Sequence, residues 1–367
     1  MEKLHIGILF GGRSGEHEVS LMSSKSVLSV LDRDRYEITE IGITHEGEWW
    51  SGSDTWEKFH NNSREGLYRV MLAPEPGKST LFKRENGTLE ALTDLDVIFP
   101  VLHGTFGEDG TLQGFFEMAD VAYVGAGVLG SSVGMDKGLF KDVMRANDIP
   151  VVDWIITSRL EAEQNMDSLV KEAEGIGNYP FFIKPANLGS SVGITKCKNQ
   201  SDLIEGIMEA CRFDRRLLIE LGVENAREIE ISVLGNEFPR ASIPGEIKPA
   251  DEFYSYDAKY HNDDSELIIP APLPQEMITE LQEIAIRTYK AIDCAGMARV
   301  DFLVNAKTNQ LFINEVNTIP GFTSISMYPK LWEASGLPYA ELIDELIQLA
   351  IQRKAERNRS ERKIELK

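Results

Sequence analysis

The chain has few cysteines and no long apolar run, and each shortage excludes a class of protein. Its 367 residues include only three cysteines, Cys197, Cys211 and Cys294. Because their number is odd and no two are spaced as Cys-x-x-Cys, we expect neither a disulfide framework nor a zinc site. The apolar stretch Ile6 to Phe10 runs into two glycines, which makes it too short for a signal peptide, and no stretch has the length of a membrane span. The sequence therefore predicts a cytoplasmic protein.

Positive charge is also scarce. The chain has 38 Lys and Arg against 59 Asp and Glu, a net charge of -21. A field of this sign opposes nucleic acid and anionic bilayers, so we expect neither as a partner. A small anionic substrate is still compatible with this charge, because lysines, arginines and metal ions reverse the field inside a cleft. The length exceeds what one hydrophobic core usually organises, which predicts two or three domains.

The N-terminal part has the pattern of an open parallel α/β sheet. His5 to Phe10 is a predicted strand and Val19 to Leu31 a predicted helix. Further strands are predicted at Tyr36 to Ile43 and Val97 to Leu102, whereas the polar segment Trp50 to Thr93 is interpreted as a surface elaboration. The helix side chains predicted to face inward are Val19, Met22, Val27 and Val30 or Leu31.

The pattern changes beyond Met135, where a helix from Lys137 to Asn147 is predicted. A hairpin from Gly296 to Asn317 and a closing helix from Tyr339 to Arg353 follow, and the charged tail after Lys354 is expected to be frayed. The resulting fold class is α/β (α+β). We divide the chain into an N-terminal, a central and a C-terminal domain, at 1–136, 137–226 and 227–367.

The predicted hairpin brings acidic residues together. By the two-residue strand period, Arg299 and Asp301 share one face, as do Glu315 and Asn317. If residues 307–309 form a three-residue loop, Asp301 lies opposite Glu315 and Arg299 opposite Asn317. The side chains expected on the other face are Val300, Phe302, Phe312 and Val316.

Two carboxylates directly across a ladder repel each other, so a compensating cation is expected. Hard oxygen ligands with one amide suit Mg²⁺ bound together with nucleotide phosphates. A solvated acidic face, or pairing of both acids with Arg299, is the alternative interpretation of the same pattern.

A second motif is a strand that leads into a loop of small residues, KPANLGSSVG. Glycines here allow backbone N–H groups to approach phosphate, and the hydroxyls of Ser190 and Ser191 add donors. Lys184, at the strand end, and Lys137, at a helix start, are candidate partners for phosphate charge. The Walker pattern is absent, and a surface turn with ordinary surface lysines is the alternative.

Two further loops begin at the ends of predicted strands. In GGRSGEHEVS the loop opens a helix, where free N–H groups favour a carboxylate, and Glu16 at the same place would hold an ammonium. His103 follows the strand Val97 to Leu102, at the edge of a parallel sheet where ligands usually bind. A substrate-binding role for His103 competes with a capping role in a tight loop.

Eight ordered motifs resemble the D-alanine:D-alanine ligase family of ATP-grasp enzymes, over nearly the whole chain from Ile6 to about Ile351. They are GGRSGEHEVS, HGTFGEDGTLQG, MDK, KPANLGSSVG, AREIEISVLG, FYSYDAKY, ARVDF and NEVNTIPGFTSIS. The resemblance implies a three-domain ATP-grasp fold, in which the N-terminal domain binds substrate and the C-terminal domain carries the catalytic and metal residues. It also implies ATP-dependent ligation of two D-alanines through an acyl phosphate, for peptidoglycan precursor synthesis, cell-wall biogenesis and cell shape. It further implies two Mg²⁺ or Mn²⁺ ions per active site and a homodimer.

Site roles are carried over from the resemblance motif by motif. For ATP they are the lysines Lys137 and Lys184, the adenine segment Glu220, Leu221 and Val223, the ribose ligand Glu228, and Lys259 at the γ-phosphate. For metal they are Asp301, Glu315 and Asn317. For the amino acids and their reaction they are Glu16, His103, Ser326, Arg299 and the N–H of Gly321, with Ser190 and Tyr260 as a hydrogen-bonded pair linked to Glu16. Because the segment from Glu220 to Glu228 is one residue longer than in some relatives, Glu224 is the alternative ribose ligand.

Two competing hypotheses differ in function. Within the enzyme class, the alternative is a D-alanine:D-lactate or D-alanine:D-serine ligase. The polar segment from Pro249 to Ser265, with its FYSYDAKY motif, is the expected lid that excludes water, and it favours D-alanine. Outside the class, the rival is a catalytically silent nucleotide-binding protein. The arginine expected to stabilise an oxyanion, Arg299, argues against it.

Overall fold

The computed structural model describes residues 3–77, 79–189, 192–248 and 266–361. In these ranges the chain forms three β-sheets, with strand orders β6-β5-β4-β3-β2-β1-β7-β8, β11-β10-β12-β9 and β16-β15-β13-β17-β18, with β14 beside β13. Helices pack against all three. The predicted α/β class is therefore confirmed, with a mixture of parallel and antiparallel strands.

The first sheet is parallel only over part of its width. Its strands are β1 (Leu4–Gly11), β2 (Tyr36–Ile43), β3 (Trp49–Ser51), β4 (Tyr68–Leu72), β5 (Thr80–Glu85), β6 (Thr88–Asp94), β7 (Val97–Pro100) and β8 (Ala122–Tyr123). β2, β1, β7 and β8 are parallel neighbours, whereas β3 to β6 extend the sheet with antiparallel pairs. The segment 50–93, interpreted as a surface elaboration, forms strands that extend this sheet at one edge. Its outermost strand, β6, is mostly solvent-exposed, which antiparallel strands tolerate.

Four helices accompany this sheet: α1 (His17–Val30), α2 (Thr55–His60), α3 (Thr111–Met118) and α4 (Val128–Met135). The inward face of α1 differs from the predicted one, since Met22 is 45% exposed. The buried face of α1 instead includes the small side chains of Ser20, Ser23 and Ser24, whose hydroxyls form hydrogen bonds inside the protein. An apolar pattern alone does not reveal a helix face made of serines.

The second sheet is antiparallel and consists of β9 (Trp154–Ser158), β10 (Phe181–Pro185), β11 (Thr195–Cys197) and β12 (Arg216–Leu221). Helices α6 (Arg159–Gly175) and α7 (Gln200–Phe213) cover one face of it. The helix α5 (Lys137–Ala146) has a different core, since Phe140 and Met144 pack with the third sheet. Its opposite face is turned toward the second sheet, which becomes important for Lys137 and Lys141.

The third sheet carries the predicted hairpin. It consists of β13 (Ala226–Gly235), β14 (Arg240–Ala241), β15 (Gly245–Lys248), β16 (Glu266–Ile268), β17 (Gly296–Asn305) and β18 (Leu311–Asn317), with α8 (Gln275–Ala291) on one face. Residues of β13, β17 and β18 alternate between a buried core and the opposite face. The site residues lie on that opposite face.

The last two helices return to the first sheet. α9 (Met327–Ala334) and α10 (Tyr339–Arg357) share a buried core with β1 and β7, in which Leu346 contributes from α10 and Phe10 from β1. The closing helix extends four residues beyond the predicted end at Arg353. Arg357 is ion-paired with Glu117 and lies 2.6 Å from Asp120, so the expectation of a frayed tail was wrong for this turn of helix. Ion pairs to a distant segment cannot be detected from local periodicity.

Across the described ranges, no helix is both long and apolar enough to span a bilayer. The three cysteines are free; Cys197 and Cys294 are buried, and Cys211 is half-buried.

A substitution at Leu346 tests how much the packing of α10 against the first sheet stabilises the protein. Its side chain is completely buried, so Leu346→Ala should lower the free energy of unfolding by about 2–5 kcal/mol through lost burial and a new cavity. Leu160→Ala, at a side chain that is 60% exposed, is the matched control and should cost less than about 0.5 kcal/mol. Urea titration followed by circular dichroism measures both. Equal losses in the two variants would show that α10 does not contribute to a shared core.

Candidate active site

One large cavity brings the described site residues together. It has a volume of about 850 Å³ and lies between the second and third sheets, with residues of the first sheet's loops at one end. The site residues predicted from the sequence that line it are Glu16, His103, Lys137, Lys184, Glu220, Leu221, Val223, Glu228, Arg299, Asp301, Glu315, Asn317, Gly321 and Ser326. The remaining ones, Ser190, Ser191, Lys259 and Tyr260, and the lid segment Pro249 to Ser265, lie outside the described residues.

The register of the acidic hairpin is confirmed. Asp301 pairs with Glu315 and Arg299 with Asn317 across β17 and β18. The turn is nevertheless one residue longer than predicted, because the last pair is Asn305 with Gln310. A β-bulge at Asn314 compensates for the extra residue, since the register shifts between Asp301 and Phe302. The predicted pairing was therefore right although the predicted loop was wrong.

The bulge changes which side chains of β18 reach the cavity. Leu311 and Ile313 are buried in the core, and Phe312, which was predicted to face that core, is only half-buried. Beyond the bulge, Asn314 and Glu315 both line the cavity although they are adjacent in sequence. Sequence analysis missed Asn314, because strict alternation would have placed one of the two on the core side.

Arg299 is the cation that compensates the acidic face. Its guanidinium donates to both carboxylate oxygens of Asp301, at 2.8 and 2.7 Å, and lies 2.9 Å from Glu230. Burial alone would lower the pKa of Arg299, but the charges of Asp301 and Glu230 outweigh it and raise the pKa well above the ordinary value. Glu230 was not predicted as a site residue. Its spacing of two from Glu228 on the same strand was the available signal.

The lysines predicted to meet phosphate lie on the opposite wall. Lys137 is the first residue of α5, and its ammonium donates to the Leu188 carbonyl at 2.7 Å. Lys184 lies near the end of β10, is ion-paired with Glu220 and donates to the amide oxygen of Asn314 at 3.2 Å. Strand β10 of the second sheet and the hairpin of the third sheet therefore meet through Lys184.

The predicted ribose ligand and its alternative both line the cavity. Glu228 is half-buried on β13, and Glu224 is exposed in the preceding loop. The charge of Glu228 is among the groups that raise the pKa of Lys184, so Glu228 lies within electrostatic reach of that lysine. Both remain candidates for the ribose.

Glu16 lies where the first sheet meets the cavity. It is the N-cap residue of α1 and is buried. Its backbone N–H donates to the Ser14 hydroxyl at 2.9 Å, and that hydroxyl donates to the His103 carbonyl at 2.7 Å. A side chain at Gly104 would collide with the Glu16 carboxylate, and one at Gly189 would approach it to 2.9 Å. A side chain at either position would therefore displace the Glu16 carboxylate from its place in the structure.

His103 uses both ring nitrogens inside the protein. Nδ1 lies 3.0 Å from the Ile319 carbonyl and Nε2 lies 3.0 Å from the Ser23 hydroxyl. Because a carbonyl can only accept, Nδ1 carries the proton and the ring is held in one tautomer. Burial lowers the pKa of His103, and the nearby charge of Glu16 only partly opposes this. The geometry therefore favours a neutral histidine that joins α1 to the loop after β18, in the wall of the substrate end.

Glu108 is a further carboxylate that sequence analysis missed. It lines the cavity, and its Oε2 accepts a hydrogen bond from the Gly104 N–H at 2.6 Å. Burial, reinforced by the charge of Glu16, raises the pKa of Glu108 to about 8. Two acidic groups thus share the substrate end, and one of them keeps its proton at neutral pH. Its position in the motif HGTFGEDG was the available signal.

The loop after β18 shapes the opposite side of the same end. Ser326 is the N-cap residue of α9, and its hydroxyl accepts from the Thr323 N–H at 3.0 Å. A Cβ at Gly321 would lie only 2.7 Å from the Ser326 oxygen, so the two positions are in close contact. A hydroxyl and a backbone N–H therefore adjoin each other at this point of the cavity wall.

A cavity between two sheets, with lysines on one wall and an acidic hairpin on the other, is the arrangement that the sequence resemblance predicts for an ATP-grasp ligase. Two family models, described as the D-ala D-ala ligase N-terminus and C-terminus, match residues 5–126 and 143–348. The chain belongs to the D-alanine–D-alanine ligase family.

Individual relatives agree with this assignment. The chain is 48% identical to the D-alanine–D-alanine ligase of Natranaerobius thermophilus over 98% of both chains. It is 52% identical to that of Thermoanaerobacter pseudethanolicus, over 96% of this chain and 98% of the relative. Among solved structures, the D-alanine–D-alanine ligase of Coxiella burnetii has a TM-score of 0.83 and 39% identity, over 98% of this chain and 97% of that one. The VanG D-Ala:D-Ser ligase of Enterococcus faecalis has a TM-score of 0.85 and 34% identity, over 95% and 100%.

Glu108 generates a prediction about pH and stability. The ordinary glutamate pKa is 4.5, and the folded-state pKa is about 8. The folded chain therefore keeps a proton that the unfolded chain releases, so this group lowers the free energy of unfolding as the pH rises through that window. Glu108→Gln cannot ionise and should lose less stability than the parent chain between about pH 5 and 8, measured by urea unfolding. The exposed Glu341→Gln variant is the control and should follow the parent; parallel profiles for Glu108→Gln would contradict the raised pKa.

Proposed function

We propose that this chain joins two D-alanine molecules to D-alanyl-D-alanine, with conversion of ATP to ADP and phosphate, as a step in peptidoglycan precursor synthesis. The observation that carries the proposal is the single cavity that unites two lysines, the acidic hairpin and Glu16, in a chain of this family. The lysine and hairpin end suits a nucleotide triphosphate, and the Glu16 end suits an amino acid.

The donor set of the hairpin fits a hard divalent cation. Asp301 and Glu315 supply carboxylate oxygens from directly opposed positions. The Asn317 amide N–H donates to Asp301 at 3.0 Å, which leaves its amide oxygen as a third ligand. These three residues would hold Mg²⁺ or Mn²⁺, and we propose two ions per active site. When bound, such an ion would neutralise charge on the transferring phosphoryl group.

Activation of a carboxylate is the central chemical requirement, because a carboxylate does not react with an amine at neutral pH. We propose that the carboxylate of the first D-alanine attacks the γ-phosphorus of ATP, the bond to the β,γ-bridging oxygen breaks, ADP leaves, and an acyl phosphate forms. Lys137 and Lys184 would bind the nucleotide phosphates, and Glu16 would hold the ammonium of the first D-alanine.

The second step forms the amide bond. The amine of the second D-alanine attacks the acyl carbon, and phosphate leaves. Arg299 and the N–H of Gly321 would stabilise the oxyanion of the tetrahedral intermediate, and Ser326 would receive the carboxylate of the second D-alanine. The pKa of Arg299 is far above neutral, so its positive charge is always available.

The second substrate is the finer point of the proposal. The fold does not distinguish D-alanine from D-serine, because a D-Ala:D-Ser ligase is as similar in structure as a D-alanine–D-alanine ligase. D-Alanine is favoured by the names of the more similar relatives. D-Serine and D-lactate are the alternatives. A cytoplasmic location, a homodimer and the domain limits at 136/137 and 226/227 also remain predictions.

Product identification tests the proposed reaction. With ATP, Mg²⁺ and a panel of D-alanine, D-serine and D-lactate, mass spectrometry should detect D-alanyl-D-alanine as the main product, and phosphate release should require D-alanine. A main product containing D-serine or D-lactate would show that this compound, and not D-alanine, is the preferred second substrate. ATP hydrolysis that is indifferent to D-alanine would contradict the ligase proposal.

Glu315→Gln tests the metal role of the hairpin. The substitution keeps the shape of the side chain and removes a ligand charge, so turnover should fall about 100-fold or more while folding is retained. Phosphate release measures turnover, and circular dichroism measures folding. Glu341→Gln, on an exposed turn of α10, is the control and should keep normal turnover. Near-normal activity of Glu315→Gln would exclude Glu315 as a metal ligand.

A further inference from the structure

Lys141 is a buried cation for which the reaction has no assigned use. Its side chain is 1% exposed, and it does not line the cavity. It follows Lys137 by one helical turn on α5, so the two lysines share a helix face. Lys137 reaches the cavity, whereas Lys141 lies behind Glu220. An ammonium is rarely buried this completely unless it is paired.

Glu220 is shared between two lysines. Its Oε2 lies 3.0 Å from the ammonium of Lys141, and its Oε1 is ion-paired with the ammonium of Lys184. Glu220 is itself 2% exposed and comes from the central strand β12. Burial would raise the pKa of Glu220, but the two lysines outweigh it and lower the pKa. Burial, together with the charge of Lys184, lowers the pKa of Lys141, and the charge of Glu220 opposes this. With both lysines protonated, the cluster of Lys141, Glu220 and Lys184 contains two positive charges and one negative charge.

The net charge of this cluster depends on Lys141. Glu220 and Lys184 alone would form a neutral pair, and a neutralised Lys184 would attract phosphate only weakly. With Lys141 on its other oxygen, Glu220 divides its charge between two cations, and the cluster keeps one net positive charge at the cavity wall. We propose that Lys141 is a positioning residue that preserves the positive charge of Lys184 for the nucleotide phosphates. This inference rests on the proposed function of the cavity as an ATP site.

A purely structural pair would be built differently. Burying a lysine and a carboxylate requires removing both from water, and apolar side chains of similar volume usually stabilise a protein as well or better. Apolar neighbours are already present on α5, where Phe140 and Met144 pack into the core of the third sheet. The aromatic ring of Trp154 lies 5.9 Å from the Lys141 ammonium, which adds a weak attraction. Lys141 is therefore better explained by its charge than by packing.

Nucleotide binding to the full chain, without D-alanine, tests the inference. Lys141→Gln keeps a hydrogen-bond donor for Glu220 but removes the charge, and Lys141→Arg keeps the charge. ADP and adenosine are titrated by calorimetry in the presence of Mg²⁺. Because adenosine has no phosphate, only ADP binding should weaken in Lys141→Gln, by about tenfold. The ADP affinity of Lys141→Arg should remain within about threefold of that of the parent chain. Lys171→Gln, at an exposed lysine, is the control and should have the ADP affinity of the parent chain.

The outcomes separate a charge effect from a structural one. Unchanged ADP affinity in Lys141→Gln would overturn the inference. So would equal weakening of ADP and adenosine, or equal weakening in Lys141→Arg. If the parent chain binds no ADP, the proposed function of the cavity fails instead.

A second variant keeps the test valid if Lys141→Gln does not fold. Lys141→Gln combined with Glu220→Gln removes the buried carboxylate together with its partner, and Lys184 alone then supplies one positive charge. Because Glu220 belongs to the predicted adenine segment, adenosine binding should weaken in this double variant, but the ratio of ADP to adenosine affinity should stay within about threefold of the ratio in the parent chain. A ratio of ADP to adenosine affinity about tenfold lower than in the parent chain would contradict the charge argument.

Discussion

The interaction on which the site depends is the pairing of Arg299 with the carboxylates around it. Asp301 and Glu315 face each other across β17 and β18, and like charges in that position repel. The guanidinium of Arg299 binds Asp301 with two hydrogen bonds and lies beside Glu230 on the neighbouring strand. Arg299 therefore offsets the repulsion within the acidic face, while Asp301 and Glu315 both line the cavity.

The two walls of the cavity carry opposite charge arrangements. On the hairpin, Arg299 stands between Asp301 and Glu230, one cation with two carboxylates. On the other wall, Glu220 stands between Lys141 and Lys184, one carboxylate with two cations. The first arrangement suits a metal ion and the second suits phosphates. A nucleotide triphosphate bound with a divalent cation would meet both.

Much of the fold and site could be predicted from local sequence patterns. Strand alternation correctly paired Asp301 with Glu315, and the motif order placed every described site residue on one cavity. Two of the errors arise from contacts with distant segments. The serines of α1 are buried because they bind groups such as the Val101 carbonyl and His103, and the end of α10 is held by the ion pair of Arg357 with Glu117. The exposure of Phe312 instead follows from the bulge at Asn314.

The sequence by itself determined the strands, the helices and the charges available to the site, because hydrophobic period and residue type are local properties. Only the tertiary structure decided which charges meet. The bulge turned Asn314 toward Lys184, and the packing of α5 between two sheets placed Lys141 behind Glu220. Both events depend on distances between segments far apart in the chain, and side-chain periodicity carries no information about such distances.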